Sequence, residues 1–116
     1  MGLWMTLIWG SGAVLVIAGT LLPARLVPAW LPDDKLLHRL AYGALALPPA
    51  LFLPLPWVAP ALLAILLLGW CLEWAQQWWV PGRRYCRGDL RANLLGVASG
   101  ALLGLALRPL IGWLTG

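Results

Sequence analysis

The sequence predicts an all-α polytopic membrane protein, a bundle of four transmembrane helices. Of its 116 residues, 62% are hydrophobic and only 10% are charged, too little polar surface to cover a soluble fold. The apolar residues fall into four stretches, each near the roughly 20 residues that cross a hydrocarbon core about 30 Å thick. The breaks between them carry Pro23, Pro28 and Pro32, then Pro54 and Pro56, then Pro81-Gly82, all turn signals.

The expected spans cover about residues 3–22, 34–53, 57–79 and 89–107, within one domain over residues 1–116 and without internal repeats. No segment alternates at period two, as a barrel strand would. Residues 1–6 hold no Lys or Arg and the first stretch ends in Leu-Leu-Pro, so it reads as a membrane helix and not as a cleaved leader. Its Gly10, Gly12, Ala13 and Gly19 are expected to let neighbouring helices come close. Of the eight Lys and Arg residues, Arg25, Lys35, Arg39, Arg83, Arg84, Arg87 and Arg91 fall at one membrane face and Arg108 at the other. The positive-inside rule then places both termini extracytoplasmic.

Nine tryptophans fit aromatic belts at the two interfaces. Trp70, Trp74 and Trp78 also form a stripe at i, i+4 and i+8 beside Glu73, which reads as packing and anchoring ahead of a ligand-stacking wall. Cys71 lies deep in the third span and Cys86 in the basic loop, too far apart in depth for a disulfide. Neither has metal-ligand spacing.

Polar residues inside the spans gather at the basic end. At about 100° per residue, Asp34, Lys35, His38 and Tyr42 share one face of the second span over two turns. Glu73 is the only acid of the third span, with Gln76 and Gln77 one turn on. On the fourth, Asp89, Asn93, Gly96, Gly100 and Gly104 occupy an arc of about 80°. A Gly-x3-Gly-x3-Gly stripe lets another helix pack backbone to backbone, which would draw Asp89 and Asn93 toward the other polar faces. Arg91 points away from that face and is expected to snorkel to head groups. Each member has a plainer reading. Asp34 and Asp89 open helices, where Asp caps free N–H groups; the basic residues hold topology against anionic lipid; His38 and Tyr42 satisfy themselves locally. Glu73 resists such a reading best, because an ionisable group inside a span costs about 2.5–3.5 kcal/mol on insertion scales and marks a functional site by default. Its structural reading is a buried pair that fixes helix register.

These residues resemble the VanZ-like family. Asp34-Lys35-x2-His38-x3-Tyr42 is similar to its first block. Glu73-x2-Gln76, then Arg83, then Asp89-x3-Asn93-x2-Gly96-x3-Gly100 is similar to its second. Gln76 or Gln77, and Arg83 or Arg84, can fill the corresponding positions. The resemblance runs from about residue 33 to 104. It implies a small protein of the bacterial cytoplasmic membrane, in a family named for an accessory protein of glycopeptide-resistance clusters and linked with teicoplanin resistance. It speaks to fold and location more than to chemistry.

Carboxylates, a histidine and arginines at the cytoplasmic interface suit an anionic lipid head group or a lipid-linked precursor. Arg83, Arg84 and Arg87 would meet the anion. Asp34, Lys35, Tyr42, Gln76, Asp89 and Asn93 would line the substrate site, and Glu73 or His38 would act as general acid or base. Asp34, Glu73, Asp89 and His38 could also hold a hard divalent cation, although no metal motif, Walker loop or nucleophile elbow is present. The expected partner is membrane lipid, with no nucleic acid. No cofactor is identified. Two other classes stay open: a small transporter or channel built from two copies, and a helper subunit docking a larger membrane partner.

Overall fold

Prolines stand both at helix ends and inside helices, and a computed structural model shows how the chain accommodates them. It describes residues 2–30, 34–82 and 84–116. Among these the chain forms α1 (Leu3–Thr20), α2 (Asp34–Phe52), α3 (Leu55–Trp79) and α4 (Arg87–Thr115), with a short 3-10 turn at Ala24–Leu26 and no strand. Arg83 and the side chain of Asp34, both singled out by the sequence, lie outside the described residues. Three helices, α1, α3 and α4, are long and apolar enough to cross a membrane. In α2, Lys35, His38 and Arg39 crowd the first two turns.

Three of the four helices start or stop within two residues of expectation at both ends, and α4 does not. It begins at Arg87 and runs for 29 residues to Thr115, about 43 Å at 1.5 Å per residue. The expected end near residue 107 took the bilayer thickness as the limit. Pro109 lies inside α4 without ending it, since a proline removes one ladder bond and need not break an apolar helix in a membrane. At the start of α3, Pro54 is the N-cap and Pro56 stands in the first turn, where an absent N–H costs nothing.

The small-residue stripe of α4 finds its partner in α2. A Cβ added at Gly96 would stand 2.5 Å from the Arg39 carbonyl oxygen, and one at Gly104 would stand 3.0 Å from that of Leu47. At Gly100 it would collide with the Gly43 carbonyl. Positions 96, 100 and 104 thus ride on 39, 43 and 47, four residues per step on each helix, so α2 and α4 run parallel. Helix α3 lies antiparallel beside them, with Gly69 against Tyr42 and Asn93. Tyr42, Leu45, Ala46, Ile65 and Val97 form the apolar core, and Trp9, Ala13 and Val16 pack on it from α1. The helices align along an envelope of 50 × 22 × 22 Å.

Helix α1 is held more lightly. None of its residues is buried, and a Cβ at Gly10, Gly12 or Gly19 would meet nothing within 4 Å. The expected close approach at these glycines is therefore corrected: α1 leans on its larger side chains, and clefts remain beside it. What fixes it is polar. Pro49 has no N–H for the carbonyl of Leu45, four residues back, and the Trp9 indole donates to that oxygen at 2.8 Å. Likewise Pro54 leaves Ala50 without its helical donor, and Arg108 of α4 supplies one at 2.9 Å. In hydrocarbon such an unsatisfied carbonyl would cost several kcal/mol.

Candidate functional site: a buried polar cluster at one end of the bundle

The cluster forms where α2 and α4 begin and α3 ends. Parallel packing of α2 on α4 sets His38 level with Asn93, and His38 Nδ1 lies 2.6 Å from Asn93 Oδ1. An amide oxygen only accepts, so Nδ1 donates and Nε2 is turned to the other side. There it stands 3.7 Å from Asp89 Oδ2, beyond hydrogen-bond range. The other oxygen of Asp89 is paired with the Lys35 ammonium. Lys35 also donates to Cys86 Sγ at 3.3 Å, and its stem passes where Gly88 has no side chain. The first-turn place of Asp89 is favourable to an acid. Its carboxylate is nonetheless turned to Lys35 and His38, and the N-cap of α4 is Cys86, with no side-chain cap. The capping reading of Asp89 is thereby corrected.

Glu73 enters from α3 and is 1% exposed. Its Oε2 accepts the Cys86 N–H at 3.4 Å, so the basic loop folds back over the end of α3. Gln77 accepts the Tyr85 N–H at 3.0 Å, and the Tyr85 ring lies 4.4 Å from that of Trp74. The tryptophan stripe thus braces this loop through Trp74, while Trp70 and Trp78 are exposed. One ligand atom each from His38, Glu73 and Asp89 fall within 4.8 Å of one another.

Tyr42 sits one turn beyond His38, its ring parallel to the imidazole at a centroid distance of 6.2 Å. Gly69 makes room for it. A Cβ there would stand 2.8 Å from Asn93 Nδ2 and 3.1 Å from the Tyr42 hydroxyl. Asn93 is 2% exposed, yet its Nδ2 has no hydrogen-bond partner. Gln76 is buried and Gln77 exposed. The Gln76 amide donates to the Thr20 carbonyl at 2.6 Å, one of the oxygens a helix leaves open at its C-terminus.

Lys35, His38, Tyr42, Glu73, Asp89 and Asn93 therefore meet in one place, with Gln76 on the α1 side. Arg84 and Arg87 are exposed at the rim, and Arg91 is exposed as well. Sequence reading missed three contributors. Gly69 was signalled only by being a glycine one turn before Glu73 among bulky apolar residues. Cys86 contributes through its backbone N–H and sulfur, which no motif specifies. The Thr20 carbonyl has no sequence signal at all.

Beside the cluster, α1 and α2 enclose an apolar cleft of about 290 Å³, lined by Leu15, Val16, Gly19, Leu37 and Ala41 and ending on His38, Tyr42 and Gln76. A second cleft of about 310 Å³ shares Val16 and Ala41 with it and continues toward Met5 and Pro48. Compared with known proteins, the chain matches no family model, no curated protein and no solved structure.

Proposed function

We propose that this is a four-span protein of the bacterial cytoplasmic membrane that binds, and in one form of the reading modifies, a membrane amphiphile with an anionic head group. The observation that carries the reading is the join between the apolar cleft and the polar cluster. A cleft lined by aliphatic side chains ends on an imidazole, a phenol and an amide, which suits a molecule with an acyl or prenyl chain and a polar head. The four-span arrangement is supported by α2 lying parallel to α4 and in contact with it from Arg39 to Ala50, at the depth its neighbours occupy. Termini outside, and the cluster at the cytoplasmic leaflet, follow from the basic bias. The VanZ-like resemblance points to the same compartment.

In this reading Arg84 and Arg87, exposed at the rim, meet the anion together with Arg83, and exposed basic contacts contribute about 1 kcal/mol each. The buried residues recognise the rest of the head. Asn93 Nδ2 lacks a partner and offers a donor that a head-group oxygen would satisfy. His38 and Glu73 are the groups through which a proton would move if the amphiphile is modified.

The test is lipid retention. Purified wild-type protein should carry anionic lipid or a phosphate-bearing precursor into native mass spectrometry. Ala41→Phe, which fills the cleft, and Arg83→Gln should each reduce that retention several-fold. Arg91→Gln should not, although Arg83 and Arg91 count equally toward topology. Identical lipid profiles in all four proteins would reject the reading and favour the helper subunit.

A further inference from the structure

The geometry points to a divalent transition-metal site formed by His38, Glu73 and Asp89. Each comes from a different helix, all three are buried, and one ligand atom from each lies within 4.8 Å of the other two. The spacing of one pair is informative. His38 Nε2 and Asp89 Oδ2 are 3.7 Å apart, too long for a hydrogen bond. Ligands of one four-coordinate ion, bound at about 2.0–2.2 Å, stand roughly 3.3–3.6 Å apart. A contraction of a few tenths of an ångström would bring the two onto one ion.

The orientation of the imidazole is a second, independent observation. Metal-binding histidines characteristically donate the far ring N–H to a fixed acceptor, which sets the tautomer and directs the lone pair at the metal. His38 Nδ1 does this toward Asn93 Oδ1 at 2.6 Å, and Nε2 then faces the carboxylates. Lys35 occupies one oxygen of Asp89 and leaves the other toward His38. One nitrogen and two carboxylate ligands suit Zn2+ or Mn2+ and disfavour Mg2+ or Ca2+, which prefer all-oxygen shells. Three protein ligands leave at least one position open for water or another oxygen ligand.

This inference does not rest on the amphiphile reading, because it is tested on delipidated protein with the metal alone. Full-length protein in detergent is stripped with a chelator and titrated with Zn2+, with metal content read by plasma mass spectrometry. One ion per chain is expected. His38→Gln and Asp89→Asn should each weaken binding at least tenfold while the helical circular dichroism persists, and Cys71→Ser, at an exposed position outside the cluster, should change it less than twofold. Co2+ substitution keeps the test decisive if a variant misfolds: the wild-type spectrum should show ligand-field bands without a thiolate charge-transfer band. Less than a tenth of an ion per chain, binding unchanged in both ligand variants, or a thiolate band would each overturn the assignment.

Discussion

Trp9, Gln76 and Arg108 share an occupation that their side-chain types do not announce. Each ends on a backbone carbonyl without its helical donor, at Leu45, Thr20 and Ala50. Two of those carbonyls are orphaned by Pro49 and Pro54, four residues further on. Trp9→Phe should therefore destabilise the protein by about 0.6 kcal/mol, and at most about 1.7, the range measured for side-chain hydrogen bonds in a membrane protein. Pro49→Ala restores an N–H for Leu45, so in that background Trp9→Phe should cost less. A double-mutant cycle on unfolding in mixed micelles measures the difference, and additive losses would break the link between the proline and the indole. Glu73→Gln keeps shape and most hydrogen bonding. It should fold and melt like wild type while losing at least tenfold in metal or amphiphile affinity, about 1.4 kcal/mol. A lowered melting temperature with affinity intact would instead assign Glu73 to helix register. At this scale the sequence was informative about which residues matter and silent about their pairs. Wheel positions put His38 and Asn93 on inward faces. Only the vertical register of α2 on α4 makes them partners, and that register is a tertiary property.

Glycines on two helices look alike in the sequence and behave differently in the fold. A Cβ added at Gly96 or Gly100 would fall inside van der Waals separation of a carbonyl oxygen of α2, whereas one at Gly10 or Gly12 would meet open space. Gly100→Ala should therefore cost about 1–3 kcal/mol through forced separation of α2 and α4. Gly12→Ala should be neutral or slightly stabilising, since Ala is the better helix former. Thermal denaturation of the two variants in detergent checks the contrast, and equal effects would reject the close α2–α4 contact. The α4 stripe was legible because a period of four combined with polar residues at one end. The α1 glycines carried no such polar extension, and nothing in their spacing distinguished helix contact from lipid contact. Helix ends were legible where a proline or turn stood near them. The end of α4 was not, because bilayer thickness alone set the expected end and the helix continues past it to Thr115 with Pro109 inside.

At the scale of the molecule, the parallel α2 and α4 and the antiparallel α3 put the basic loop and the start of α2 at one end of a 50 Å envelope. Cys86 lies at that end, half-buried, and Cys71 lies on an exposed face of α3 within the bundle's length. In the proposed orientation a membrane-impermeant maleimide should reach Cys86 from the cytoplasm and leave Cys71 unlabelled in intact membranes, with reporter fusions at both termini reading extracytoplasmic. Cytoplasmic termini would invert the orientation and move the cluster to the outer face. The two bonds that attach α1 add a mechanical consequence. Trp9 and Thr20 are about 17 Å apart along the helix at 1.5 Å per residue, one pinned to α2 and the other to α3. A rod held at two points bends most easily between them, and the middle of this stretch, near residues 14–15, adjoins Val16, which borders both clefts. A guest entering from the bilayer would thus bow α1 outward between its pins without detaching it, and spin labels at Leu15 should move more than labels at either pin.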